Sequence, residues 1–347
     1  MKVAIVSVQV PFMTGGAEIL AASLQRELRV RGHEADIVTI PFKWYPPERI
    51  IDCMAMARLM DVTEVNGQRI DKVVALKFPA YYVDHPDKVC WLLHQHRQAY
   101  ELYNTPYGDL HHNDEGVRVA TEIRHWDRAL LPLSRKLFTI SNTVSERLRI
   151  YTQLDSEPLY HPPVNYEHYR CSESGDYILY AGRFDTIKRQ HLLVEALSKT
   201  ETPVRAVIIG SHHGAYGQQV LKSVEALGLS DRVQCLGMVD EEQKLELYAH
   251  ALGVYNGVYQ EDYGYVTLEA FFASKPVVTH PDSGGPLEFV RHMENGYVVS
   301  AEPVEIARAI DALYRNPSGA REMGDAGRKL LDRMEINWDN VVDRLIS

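Results

Sequence analysis

The sequence predicts an α/β protein of two doubly wound, Rossmann-like domains facing a cleft, and three observations carry that prediction. Apolar runs of strand length alternate with segments of helical periodicity along the chain, the pattern of a parallel sheet covered by helices. The alternation stops at a proline-bearing segment without period, "LDSEPLYHPPVNYEHYRCSESGDY" (154–177), and then restarts. With 347 residues and 45% apolar composition, the chain is long enough for two full cores.

The elements follow in order. "KVAIVSV" reads as a buried strand, 17–31 has helical apolar spacing at Ile19, Leu20, Leu24 and Leu28, and Gly32 ends it before the strand "EADIVTI". Weaker strands follow at "DKVVALKF" and "KVCWLL", then a helix over 117–129, the strand "LFTIS" and a helix over 142–151. Prolines at 158, 162 and 163 mark the linker. Beyond it come the strand "YILYAGRF", a helix over 188–197, "VRAVIIG", a helix over 217–227, "VQCLG", the helix "EEQKLELYAHA", the strand "LGVYNG", a helix carrying Glu269, the strand "KPVVTH" and two more helices. Domains are expected at 1–165 and 166–330, with 331–347 a C-terminal helix.

Composition excludes several classes. "MKVAIVSVQVPF" reads as a first strand rather than a signal peptide, and no apolar run approaches the roughly eighteen residues of a membrane span. The four cysteines, Cys53, Cys90, Cys171 and Cys235, are scattered, as expected of reduced thiols in a cytoplasmic protein. A net charge of −10 argues against nucleic acid as a partner. Residues 1–168 hold 19 Lys+Arg against 21 Asp+Glu, and 169–347 hold 18 against 26, so the acidity belongs to the second half.

Ligands of doubly wound sheets sit at the carboxyl ends of strands, which directs attention to the loops there. "QVPFMTGGAEIL" delivers Gly15 and Gly16 to a helix start, where backbone can approach a phosphate; a plain glycine N-cap is the bland alternative, and the pattern is not GxGxxG. "AGRFDTIKRQ" puts Arg183 and Lys188 past a strand end, either as two cations around an anion such as a diphosphate or as solvated charges with Asp185 as partner. In "YQEDYGYVTLEAFFASKPVVTH" a loop ending at Gly264 leads into an apolar helix. The N–H groups of Tyr265, Val266 and Thr267 are expected to be open to phosphate, with Glu269 one turn inside and Glu261 in the loop before. Phe271, Phe272, Ala270 and Ala273 cover so much of that helix that Glu269 needs partners.

The arrangement "EDYGYVTLEAFFASKPVV…GGPLEFV…NGYVV", with two glutamates separated by seven residues and preceded by "GRFDTIKRQ", resembles the retaining glycosyltransferases of family 4, which have the GT-B fold. "GGAE", "FTISNTVSERLRIY", "HPPVNYEHY" and "NWDNVVDRLIS" extend the resemblance over nearly the whole chain. It implies that Glu261 contacts the transferred sugar, Glu269 the nucleotide's ribose, and Arg183 and Lys188 the diphosphate, while backbone around Met238 in "CLGMVD" meets the base. It also implies a histidine on the donor sugar. In "VCWLLHQHRQAY" His94 is preferred to His96 because it directly follows the apolar run; the two as metal ligands lack a carboxylate or cysteine nearby. The first domain would take the acceptor, the second the nucleotide sugar, and the last helix would cross back to the first.

The resemblance thus implies transfer of a hexosyl unit from GDP-mannose or a UDP-hexose to a hydroxyl of a glycan or lipid-linked acceptor. No cofactor is expected, and the absence of a DxD triplet fits a metal-independent site neutralised by Arg183, Lys188 and helix N-termini. Arg118, Arg124, Arg128, Arg135 and Lys136 suggest peripheral contact with an anionic membrane, with a solvated helix the equal alternative. An epimerase or phosphorylase of the same fold, or a non-catalytic sugar-nucleotide-binding subunit, are the rival readings; a dehydrogenase is not supported by the loop at Gly15.

Overall fold

The computed structural model describes residues 1–13 and 15–347. The chain divides into two compact units, one of Met1–Val164 with Asn337–Ser347, the other of Asn165–Ile336.

The first unit begins with β1 (Lys2–Gln9), whose interior is buried throughout because it lies inside a sheet covered on both faces. It continues through α1 (Gly16–Val30), β2 (Glu34–Pro41), α2 (Glu48–Leu59), the small hairpin β3 (Glu64–Val65) and β4 (Gln68–Arg69), β5 (Lys72–Ala75), β6 (Lys88–Leu92), α3 (Asp114–Leu130), β7 (Lys136–Thr139), α4 (Asn142–Thr152) and β8 (Glu157–Pro158). Six strands form a parallel sheet in the order β2-β1-β5-β6-β7-β8. Part of the segment read as linker is therefore strand β8, and Pro158 is tolerated there because β8 is an edge. Helix α2 was not expected: its apolar residues are spread around the helix, and it buries Ile50, Cys53, Met54 and Ala57.

The second unit runs β9 (Tyr177–Ala181), α5 (Gln190–Leu197), β10 (Arg205–Ile209), α6 (Ala215–Ala226), β11 (Val233–Gly237), α7 (Glu241–His250), β12 (Gly253–Tyr255), α8 (Tyr265–Phe272), β13 (Val277–Thr279), β14 (Gly296–Val298), α9 (Pro303–Arg315) and α10 (Pro317–Arg333). Its sheet order is β11-β10-β9-β12-β13-β14, all parallel. Read within this unit, that is the dinucleotide-fold order 3-2-1-4-5-6, which reverses direction between β9 and β12. Strand β14 was not expected, and three helices rather than two end the chain.

The third is α11 (Trp338–Ile346), which belongs to the first unit and packs on α1. Arg31 pairs with Asp339 and Arg344 with Glu157. Beneath them His161, 1% exposed, lies between the rings of Trp91 at 5.1 Å and Trp338 at 6.0 Å. Burial pushes its pKa down to about 3. An unfolded chain protonates histidine near pH ~6.5, so the unfolded state binds the extra proton first. Stability from neutral His161 is complete above that pH and is lost as pH falls toward the folded value, at about 1.4 kcal/mol per pH unit. Between pH 7 and 5 the native chain is expected to lose about 2 kcal/mol more than His161→Phe in urea melts; parallel losses would remove His161 from the acid response.

Candidate functional site

The reversal point of the second sheet puts the loops after β9 and β12 side by side, the position where such sheets bind ligands. Chain leaves β9 through Gly182 and Arg183 into a short 3-10 turn, Thr186–Lys188, whose first amides are capped by Asp185: its carboxylate accepts from the Ile187 N–H at 3.2 Å. The helix expected from 188 begins at Gln190 instead, because Arg189 takes a left-handed conformation, φ 55°, between the turn and α5. That break turns the buried Arg189 guanidinium across the sheet end. It donates to the Gly257 carbonyl at 2.6 Å and the Val258 carbonyl at 2.9 Å, and grips the Asp282 carboxylate at 2.8 and 2.7 Å. Burial opposes ionisation of Asp282, yet Arg189 holds its pKa below the ordinary value. Loops from β9, β12 and β13 are thereby tied together by one side chain.

The loop carrying Glu261 is held by backbone. Its N–H donates to the Ser283 carbonyl at 2.8 Å, and its carbonyl accepts from the Gly285 N–H at 2.9 Å. Gly284 has φ 74°, and a Cβ there would fall 2.5 Å from the Glu261 carbonyl oxygen, so only glycine allows this approach. Gly264, φ 93°, ends the loop as the N-cap of α8. Glu261 itself is not alone: Lys188 Nζ donates to Glu261 Oε2, and both side chains are about three-quarters buried.

Helix α8 buries Leu268, Ala270, Phe271 and Phe272 and turns Tyr265, Val266 and Glu269 to its less buried side. The expectation of three open amides is corrected at Thr267, whose N–H donates to the Gly264 carbonyl at 2.9 Å as the first turn tightens. Its hydroxyl accepts from Asn256 Nδ2 at 3.1 Å, which fixes the helix start to the end of β12. Glu269, with 14% of its side chain exposed, accepts from Tyr248 Oη at 2.7 Å and from Lys244 Nζ at 3.4 Å.

The other expected positions fall as follows. Arg183 is 64% exposed and 3.6 Å from Asp185, so it is held far less firmly than Lys188. Met238 is exposed, just past the end of β11. Arg183, Lys188, Met238, Glu261, Gly264 to Thr267 and Glu269 thus all belong to the second unit, at the carboxyl ends of its strands or in α8. Gly15, Gly16 and His94 belong to the first. Gly15 is the N-cap of α1 with extended φ of −140°, and its N–H donates to Glu18 Oε2 at 2.8 Å, so a carboxylate of the chain already meets that helix start. His94 follows β6; its Nδ1 lies 2.6 Å from the Gln95 carbonyl, which can only accept, so Nδ1 carries the hydrogen there. His96 sits against Phe78, and burial pushes its pKa down to about 3.

Several residues that shape the site were not picked out in the sequence: Arg189 with Asp282, Lys244 with Tyr248, and Asn256. Lys244 and Tyr248, four apart on α7, offered a weak signal, since such a pair shares one helix face. The five basic positions singled out in the first unit have partners within the chain: Arg118 with Glu115, Arg124 over the Tyr103 ring, Arg128 with the Tyr151 carbonyl, Arg135 with Asp87, and Lys136 with Ser347. Among the described residues no helix is long and apolar enough to cross a membrane, and no cluster of three or more His, Cys, Asp or Glu could hold a metal.

Residues 168–330 match the family model for glycosyl transferases group 1. Over 184 residues the chain is 30% identical to the D-rhamnosyltransferase WbpZ of Pseudomonas aeruginosa, covering 52% of this chain and 47% of that protein, so it spans about half of that relative's length. Sucrose-phosphate synthase from Thermosynechococcus elongatus superposes with a TM-score of 0.79 at 18% identity, covering 99% of this chain and 97% of that one. HepE of Anabaena, solved in complex with UDP, gives 0.69 at 16% identity, covering 100% and 98%. The chain therefore has the fold of GT-B glycosyltransferases, two parallel-sheet Rossmann-like domains, and residues 168–330 match the group 1 model.

Proposed function

We propose that the protein is a metal-independent, retaining glycosyltransferase of family 4 that moves a hexosyl unit from GDP-mannose or a UDP-hexose to a hydroxyl of a glycan or lipid-linked acceptor. The observation that carries this reading is the grouping of Lys188, Glu261, the start of α8 and Glu269 in the second unit, with the first two in direct contact at the sheet's reversal point. A sugar nucleotide needs a cation and amides for its diphosphate, an acceptor for its ribose hydroxyls and a carboxylate for its sugar. Each is present in the second unit, in the segments that follow β9 and β12.

In this reading Lys188, Arg183 and the amides of Tyr265 and Val266 neutralise the diphosphate, Glu269 takes the ribose, backbone at Met238 meets the base, and Glu261 with His94 orients the sugar. The bond from the anomeric carbon to the phosphate oxygen breaks as the bond to the acceptor oxygen forms on the same face. The acceptor's proton passes to the leaving phosphate oxygen, so Glu261 is an orienting group and not a nucleophile. The first unit takes the acceptor through its loops, including that at Gly15 and Gly16. Contact with an anionic membrane belongs to the same proposal, its basic positions in the first unit being paired within the chain.

The test is release of nucleotide from a panel of UDP- and GDP-sugars with and without EDTA, comparing the native chain with Glu269→Ala. One donor class should be turned over regardless of chelator, and the variant should bind it about tenfold or more weakly. Unchanged donor affinity in Glu269→Ala would refute the role given to that residue.

A further inference from the structure

Glu269 has surroundings that a solvent-facing carboxylate would not need. Tyr248, fully buried on α7, donates its hydroxyl at 2.7 Å, and Lys244 on the same face places Nζ 3.4 Å from the other carboxylate oxygen. Lys244 is also 3.1 Å from Glu241. Burial works against its charge, but Glu269 and Glu241 together raise its pKa above the ordinary lysine value. Tyr169 stacks edge-on against Tyr248 with centroids 5.4 Å apart; its buried hydroxyl has no partner at hydrogen-bonding geometry but interacts with Glu269. Burial, followed by the charge of Glu269, pushes both tyrosine hydroxyls well above the usual phenol value, so each remains a donor.

We propose that Tyr248 and Lys244 are positioning residues that hold Glu269 in the orientation in which its remaining lone pairs meet the vicinal diol of a nucleotide's ribose. The proposal rests on the ribose role given to Glu269. A carboxylate offers about four acceptor positions. Tyr248 and Lys244 each take one, on different oxygens. The remainder match the two O–H donors of a cis diol, and the fixed geometry means that little rotamer freedom is lost on binding. A carboxylate that only needed its charge balanced would be served by Lys244 alone; the additional, fully buried hydroxyl on the second oxygen fixes direction.

The discriminating ligand is one without the diol. Tyr248→Phe removes a single oxygen and keeps the ring packed against Tyr169. Calorimetric affinities should be measured for UDP and GDP, each alongside its 2′,3′-dideoxy counterpart, with the native chain, Tyr248→Phe, Lys244→Met and Glu269→Ala. The native chain should prefer the ribonucleotide. Tyr248→Phe and Lys244→Met should each weaken ribonucleotide binding about tenfold and leave dideoxynucleotide binding within about twofold. Equal weakening toward both nucleotides, or retained selectivity in Tyr248→Phe, overturns the positioning role. A native chain that binds neither nucleotide, or ribo- and dideoxy forms equally, overturns the ribose role of Glu269 itself, so the two failures are separable.

Discussion

Under the proposed function, Lys188→Ala is expected to lower the turnover of the sugar nucleotide by about 100-fold or more. Negative charge on the leaving diphosphate grows as its bond to the sugar breaks, so a cation fixed beside it acts more strongly on the transition state than on the bound donor. Lys188 is fixed. Its backbone closes the turn begun by Asp185, its carbonyl accepts from Tyr180 Oη at 2.5 Å, and the following Arg189 is locked to two neighbouring loops. Its side chain contacts Glu261. Under the proposed function a diphosphate would share the ammonium with Glu261, which would bring the cation and the carboxylate proposed to orient the sugar to the same reaction centre. Arg183, largely exposed and only loosely placed by Asp185, should matter several-fold less. The measurement is kcat and KM for nucleotide release in both alanine variants. A fall concentrated in kcat for Lys188→Ala is expected; a kcat within about threefold of native would take Lys188 out of the chemistry.

Strand and helix alternation was readable because "KVAIVSV", "VRAVIIG" and "KPVVTH" are short, valine- and isoleucine-rich apolar runs of the kind a buried parallel strand carries. The same logic put Arg183, Lys188 and Glu261 in segments that follow strands and Glu269 one turn inside a helix, and those are their places in the second unit. Sequence spacing did not reveal that Lys188 and Glu261 neutralise each other, since they lie 73 residues apart and meet only because β9 and β12 are neighbours. Strand order is a property of the whole sheet and has no local signature. Arg189 carries no sequence signal of its role: its left-handed backbone turns it inward, and neither that conformation nor Asp282 is signalled nearby in sequence. The Thr267 amide was misjudged because helix periodicity does not say how tightly the first turn closes onto Gly264. Helix α2 and strand β14 escaped because one has no clean apolar stripe and the other is three residues long.

In the first unit the largest stability effect is expected at Asp127. This residue of α3 is fully buried and has four donors: Tyr81 at 2.9 Å and Tyr82 at 2.6 Å on Oδ1, and Tyr100 at 2.7 Å and the Gln95 side-chain amide at 2.8 Å on Oδ2. Burial raises its pKa above the ordinary carboxyl value, and the four donors pull it back only in part. Asp127→Ala strands all four in an apolar surrounding, and an unsatisfied buried donor costs about 1–3 kcal/mol. With relaxation and entry of water the net loss should be about 3–5 kcal/mol, near the top of the range for a single substitution. Asp127→Asn preserves volume but turns an N–H group toward two existing donors whichever way the amide is oriented, so it should lose most of the same amount. Urea melts followed by tryptophan fluorescence provide the check, and a loss below about 1 kcal/mol in Asp127→Ala would show that these hydroxyls find other acceptors. Gln95 and Tyr100 flank the short turn Arg97–Ala99 that follows His94. Asp127 therefore anchors from the core the segment on which His94 is carried, and a loosened anchor should show first as faster hydrogen exchange over residues 94–100, before the unit as a whole unfolds.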